Sequence, residues 1–152
     1  MRFREAVEAT RPLREQFRVG LQALRRSDRG RVRCSDPRRL CGSVNLDEAL
    51  REEYPNDPRW DYAIGVTRGK SDAILWLEAH PASSRHIDEI LKKVQWLKAW
   101  TGRHAPALKA LPRYYRWVAT GKIAFRRGGQ EEKKLAQEGI GFPSRQLNLD
   151  EL

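Results

Sequence analysis

Two apolar runs separated by a short polar turn stand near the middle of the chain. The first, WDYAIGV, covers residues 60–66, and the second, AILWLEAH, covers residues 73–80. Both are enriched in β-branched and aromatic side chains, as buried strands are. The intervening TRGKSD is typical of a turn, and Pro81 stops the second run. The pattern predicts an antiparallel β-hairpin.

The rest of the chain mixes helical and strand patterns. The clearest helix spans residues 83–103, where apolar residues recur every three or four positions. Other helices are predicted at 45–55 and 130–140, with a helical segment at 2–26 that Pro12 interrupts. Further strands are predicted within 30–46, 114–125 and 145–149. This order predicts an α/β fold, with a single mixed β-sheet and flanking helices.

The length of 152 residues suits a single domain, with a basic N-terminal helical segment at 1–29 and an α/β core at 30–152. The formal net charge is +10, and residues 1–33 alone hold ten Arg against four acidic residues. Such a balance favours a polyanionic partner, with nucleic acid as the first expectation and an acidic protein partner as the alternative. The candidate phosphate contacts are Arg11, Arg14, Arg18, Arg25, Arg126 and Arg127.

Neither a membrane-spanning apolar run nor a signal-peptide pattern is present in the sequence. We therefore expect a cytoplasmic protein with no membrane partner. Cys34 and Cys41 do not have zinc-ligand spacing and are expected to be reduced thiols. No spacing rule favours a zinc site that joins Cys34 to His80 and His86.

Each strand of the predicted hairpin carries one carboxylate at its outer end. If the strands pair about a turn centred between Gly69 and Lys70, Asp61 lies directly opposite Glu78 and shares its face. His80 has the same parity as Glu78 and lies on that face too. Facing carboxylates repel each other, which a hard cation such as Mg²⁺ or Mn²⁺ would offset. The alternative is two surface acids at the wet end of the hairpin, paired with Arg59 or Arg85.

The pattern resembles the core of the PD-(D/E)XK nuclease superfamily. In that core an acid begins one hairpin strand, an acid-x-Lys stands near the end of the next, and a helix and another strand follow. The resemblance covers about residues 45–125 and implies a restriction-endonuclease-like fold. It also implies metal-dependent hydrolysis of nucleic-acid phosphodiesters, with Asp61 and Glu78 as metal ligands. A preceding helix often supplies another acid in that family, here Glu48, Glu52 or Glu53.

The sequence departs from the family pattern at its lysine, because His80 stands there. Variant members of the family carry this lysine on the following helix, where Lys92 or Lys93 could serve. His80 itself could instead act as a base or a metal ligand. A third alternative is a domain that has lost its chemistry and only binds a partner. The predicted catalytic set is therefore Asp61, Glu78, His80 and Lys92.

Overall fold

The central sheet of the computed structural model, which describes residues 1–152, contains four strands. In their order across the sheet, they are β2 (Leu40–Asn45), β3 (Tyr62–Arg68), β4 (Ser71–His80) and β5 (Arg113–Ala119). β2, β3 and β4 are antiparallel neighbours, and β5 pairs in parallel with β4. The predicted mixed α/β fold is confirmed.

A second, smaller ladder differs from the prediction of a single sheet. β1 (Val32–Arg33) and β6 (Leu147–Asn148) pair in parallel, apart from the main sheet. A 3₁₀ turn at Pro37–Arg39 separates β1 from β2, and its Asp36 cap accepts a hydrogen bond from the Arg38 N–H. The chain direction changes there, so the two predicted strands of the 30–46 segment join different sheets.

Six helices accompany the strands. The longest, α4, lies between β4 and β5 in the chain, where two parallel strands require a long connection. No helix in the structure is both long enough and apolar enough to cross a membrane. The helices are α1 (Phe3–Glu8), α2 (Arg26–Arg29), α3 (Leu46–Ala49), α4 (Ile87–His104), α5 (Pro106–Lys109) and α6 (Gln130–Gln137).

The β3–β4 hairpin has the predicted register. Its ladder runs from Tyr62 opposite Leu77 to Arg68 opposite Ser71, so the strands extend further into the turn than the sequence pattern suggested. Only Gly69 and Lys70 remain in the loop, and Gly69 takes φ +60°, a conformation that glycine adopts without strain. One more pair beyond the ladder places Asp61 opposite Glu78.

Alternate residues of the sheet bury its two faces against different elements. One face packs against α1, α4 and α5 and includes Trp76 and Trp117. The opposite face, which includes Ile64 and Leu75, packs against Leu24 and residues of the β1–β6 ladder. Because Asp61 and Glu78 have the parity of the first face, their side chains point toward α4.

The N-terminal segment is less helical than predicted. Within residues 2–26, α1 ends at Glu8, a 3₁₀ turn covers Arg11–Leu13, and turns follow as far as α2. Arg11 begins the next turn, and Pro12, its second residue, has no N–H with which to continue an α-helix from α1. Phe3, Val7 and Leu13 are nevertheless fully buried in the main core. The apolar spacing therefore predicts the burial of these three residues correctly, but the predicted length of the N-terminal helix is wrong.

Candidate active site

Three charged side chains from three elements meet beside the outer end of the hairpin. Asp61 immediately precedes β3, Glu78 lies near the end of β4, and Lys93 lies on the second turn of α4. We refer to them as the carboxylate–lysine cluster. Its side chains are 22%, 0% and 14% exposed, respectively, so the cluster is largely withdrawn from water. The alternative of two surface acids is therefore wrong, because Glu78 is fully buried and pairs with Lys93. Arg59 instead contacts Asp47.

Backbone and ammonium donors bind the two carboxylates together. The Asp61 N–H donates to Glu78 Oε1 over 3.1 Å, and the Ala79 N–H donates to Asp61 Oδ2 over 3.0 Å. Lys93 Nζ donates to Glu78 Oε2 and lies 3.9 Å from Asp61 Oδ1. Each carboxylate thus receives a backbone hydrogen bond from the neighbouring strand, which fixes both side chains by the strand register.

The cluster carries one more negative charge than positive when its groups are ionised. Burial, and next the charge of Asp61, raise the pKa of Glu78 well above its usual value. Burial also raises the pKa of Asp61, although Lys93 opposes that shift. For Lys93, burial favours the neutral amine, but the two carboxylates outweigh burial and raise its pKa. The excess negative charge favours uptake of a proton or a cation.

The carboxylate–lysine cluster opens into a polar cleft of about 300 Å³. Asp61 and Lys93 line this cleft together with Asn45 and Asp47 from the β2–α3 junction. Its remaining lining residues are Arg25, Asp28, Tyr62, Ala79 and His80. A ligand in the cleft therefore meets carboxylate oxygens and cationic side chains at once.

The lysine of the cluster is Lys93 rather than the predicted Lys92. Lys92 is exposed and contacts neither Asp61 nor Glu78. Helical geometry explains the difference: Lys93 lies three residues after Ile90 and one before Val94, on the flank of the buried stripe of α4. Lys92 points away from that stripe. The spacing of Lys93 from Ile90 and Val94 in the sequence already favours Lys93 over Lys92 as the lysine that faces the sheet.

His80 lines the cleft but forms no hydrogen bond with either carboxylate of the cluster. Its Nδ1 lies 2.9 Å from the Pro81 carbonyl oxygen, and its Nε2 lies 3.1 Å from Glu89 Oε1. The predicted common face with Glu78 is correct, because both residues are on β4 with the same parity. Any action of His80 on a ligand would therefore be exerted across the cleft.

The acid of α3 that lines the cleft is Asp47, which is not among the candidates named from the sequence. The Asn45 side chain caps α3 by accepting from the Glu48 N–H, and the Asp61 carbonyl accepts from the Leu46 N–H. These contacts turn the first residues of α3 toward Asp61. Asp47 lies in the cleft as a result, whereas the named candidates Glu48, Glu52 and Glu53 are exposed and do not line it.

The six candidate phosphate-binding arginines are all exposed, and one of them lies at the cleft. Arg25 lines it beside the cluster. Arg11 and Arg18 line two other depressions, and Arg14 donates to the Glu8 carbonyl. Arg127 lies 4.6 Å from the centre of the Phe142 ring, and Arg126 is its exposed neighbour.

The donor set of the cleft suits a hard divalent cation. Mg²⁺ and Mn²⁺ prefer carboxylate, carbonyl and water oxygens. Asp61 offers a partly exposed carboxylate. Asp47 lines the same cleft, but its two oxygens already accept from Arg59 and Arg51. Glu78 is less accessible, because both of its oxygens already accept hydrogen bonds.

Comparison of the chain with known proteins finds no relative. No family model matches the chain, and no curated protein or solved structure matches it significantly.

Proposed function

We propose that the protein is a metal-dependent nuclease-like domain that hydrolyses nucleic-acid phosphodiesters at the carboxylate–lysine cluster. The observation that carries the proposal is the buried convergence of Asp61, Glu78 and Lys93 from two hairpin strands and the following helix. On this proposal, the four-stranded sheet with α4 is a restriction-endonuclease-like core. Lys93 fills the place of the lysine that the sequence lacks at position 80.

Asp61 would hold Mg²⁺ or Mn²⁺, with Glu78 as the second acid of the resemblance. Asp47 would add a further oxygen only by giving up its contact with Arg51 or Arg59. When bound, the cation supplies Lewis-acid polarisation of the phosphate and lowers the pKa of a bound water. Glu78 keeps Lys93 charged and in place, since its buried carboxylate accepts from the ammonium. Lys93 orients the attacking water and stabilises negative charge at the phosphate.

The basic chain as a whole supports a polyanionic substrate, whereas the cleft lining itself has three aspartates against two cationic side chains, Arg25 and Lys93. Arg25 lines the cleft on the side of α2, and the whole chain has a formal net charge of +10. Arg25 would contact a phosphate next to the scissile one, which positions the substrate without reading its bases. The strength of binding is then expected to fall steeply with salt concentration.

The test is cleavage of fluorescently labelled single- and double-stranded DNA and RNA in the presence of Mn²⁺ or Mg²⁺. Wild type should cut at least one of these substrates, and chelation should stop the cutting. Asp61→Asn and Lys93→Met should each reduce the rate by about 100-fold or more. Asp61→Asn removes the negative charge of a metal ligand, and Lys93→Met removes the positive charge that stabilises the phosphate. Lys92→Met is the matched control, with the rate expected to stay within about twofold.

A non-catalytic module with the same fold is the second candidate, and His80 at the usual lysine position favours it. Such a domain would use its basic surface to bind nucleic acid or an acidic protein partner. Salt-dependent binding of an oligonucleotide, with no metal-dependent cleavage by wild type, would decide for this module. Cleavage that Asp61→Asn abolishes would decide against it.

A further inference from the structure

We propose a second metal site, formed by His80, His86 and Glu89, that takes a borderline transition-metal cation such as Zn²⁺. These residues lie where the end of β4 meets the start of α4, apart from the carboxylate–lysine cluster. One ligand atom from each of the three residues lies within 4.8 Å of the other two. Two imidazoles and one carboxylate form a common three-ligand set for zinc, with the fourth position open to water.

The spacing of the ligand atoms is close to what a tetrahedral cation requires. With metal–ligand bonds of about 2.0–2.1 Å, neighbouring ligand atoms lie about 3.3 Å apart. His80 Nε2 and Glu89 Oε1 already lie 3.1 Å apart. The rings of His80 and His86 are 4.9 Å apart between centroids, and the Glu89 side chain is 55% exposed and free to adjust. The other two pairs of ligand atoms lie within 4.8 Å, so rotation of the His86 ring and of the Glu89 side chain would have to bring them closer.

Hydrogen bonds at the far side of both imidazoles favour metal binding. His80 Nδ1 lies 2.9 Å from the Pro81 carbonyl oxygen, which can only accept, so this ring nitrogen carries the proton. His86 Nδ1 lies 2.7 Å from Ser83 Oγ. Nδ1 has a hydrogen-bonding partner in each ring, so Nε2 is the nitrogen that would bind a cation. At His80 the cation would replace the Nε2 proton that now faces Glu89. Metal-ligating histidines usually have such a partner on the other nitrogen.

The site would act as a clamp between strand and helix. His80 is the last residue of β4, whereas His86 directly precedes α4 and Glu89 lies in its first turn. A cation held by all three would fix the 81–85 connection and the first turn of α4. Glu89 is four residues before Lys93 on the same helix, so the clamp also fixes the helix that carries the lysine of the cluster.

Cobalt and zinc binding to the untagged protein test the proposal without any activity measurement. Co²⁺ is titrated with visible absorption as the readout, and Zn²⁺ is titrated calorimetrically. The variants are His86→Ala and the conservative Glu89→Gln, with His104→Ala as the matched histidine control. Asp61→Asn is included so that binding at the carboxylate–lysine cluster is counted separately. Far-UV circular dichroism confirms that each variant is folded.

We expect Asp61→Asn to bind one equivalent of Zn²⁺ and to give the intense visible bands of four-coordinate Co²⁺. Wild type and His104→Ala should bind the same equivalent with the same bands, besides any cation held at the carboxylate–lysine cluster. His86→Ala and Glu89→Gln should bind at least tenfold more weakly. No Zn²⁺ binding by wild type would overturn the proposal, as would binding that both His86→Ala and Glu89→Gln leave unchanged. Because Glu89 is exposed, Glu89→Gln keeps the test valid even if His86→Ala fails to fold.

Discussion

Replacement of Lys93 by Met is the most informative perturbation of the carboxylate–lysine cluster. Methionine retains much of the aliphatic volume of lysine but removes the only cation within reach of both carboxylates. Glu78 is then a fully buried carboxylate without its ion-pair partner. Lys92→Met is the control, since it makes the same chemical change at the exposed neighbouring position.

The expected cost follows from the burial of the three groups. Removal of one partner from a buried ion pair destabilises a protein by about 3–5 kcal/mol, because an uncompensated charge stays inside. With a urea m-value of about 2 kcal/mol/M, the unfolding midpoint of Lys93→Met should fall by about 1.5–2.5 M. The exposed control should change the free energy of unfolding by no more than about 0.5 kcal/mol.

The pH dependence gives the same experiment a signature that a packing defect lacks. The folded state raises the pKa of both Asp61 and Glu78, so folding takes up protons. The stability they contribute is present below their unfolded pKa values, near 4, and is lost as pH rises through the raised folded values. Without the Lys93 ammonium these folded values rise further, so the difference between wild type and Lys93→Met should narrow from pH 7 to pH 5.

Urea denaturation monitored by tryptophan fluorescence and far-UV circular dichroism measures both effects. The double variant Glu78→Gln/Lys93→Met replaces the buried ion pair with two neutral groups and should recover much of the stability lost by Lys93→Met alone. A Lys93→Met cost below about 1 kcal/mol at pH 7, or a cost that does not change with pH, would refute the buried ion-pair reasoning.

Three further substitutions test how the sheet is packed and anchored. Gly65→Ala should destabilise by about 1–3 kcal/mol in thermal or urea unfolding, since a Cβ there would lie 2.4 Å from the buried Phe3 ring, whereas Gly121→Ala, with open space around it, should be neutral. Asp72→Ala should cost about 1–3 kcal/mol in urea unfolding, because the carboxylate accepts from the Phe3 N–H over 2.7 Å. Tyr62→Phe should cost a similar amount, as its hydroxyl donates to the buried carboxylate of Asp28. Costs near zero would contradict each assignment.

The hairpin and its paired acids were predictable from the sequence because few alternatives satisfy a strand register. A shift of one residue would have moved every apolar side chain to the opposite face. The polar turn fixed the centre of the hairpin between Gly69 and Lys70, and that centre alone placed Asp61 opposite Glu78. The same parity rule correctly placed His80.

The choice of lysine and the course of the N-terminal segment were not predictable to the same degree. Lys92 and Lys93 are adjacent, and only the phase of α4 against the sheet distinguishes them. The N-terminal apolar residues repeat at helical spacing, but the chain buries them through turns, and Pro12 has no N–H with which to continue the helix. Tertiary packing thus overrode local propensity. Asp47 was missed because its position depends on a capped turn and a backbone contact to Asp61.

Mn²⁺ binding distinguishes a metal site at the carboxylate–lysine cluster from a cluster that only stabilises the fold. We would titrate Mn²⁺ by electron paramagnetic resonance into His86→Ala, which lacks the second proposed site, and into His86→Ala/Asp61→Asn. Each titration is run with and without a saturating phosphorothioate oligonucleotide, in case substrate phosphate completes the site. The account predicts one bound Mn²⁺ in His86→Ala, and at least tenfold weaker binding once Asp61 is replaced. Equal binding in both proteins, or no binding in either with the oligonucleotide present, would contradict a metal-dependent hydrolase at this cluster.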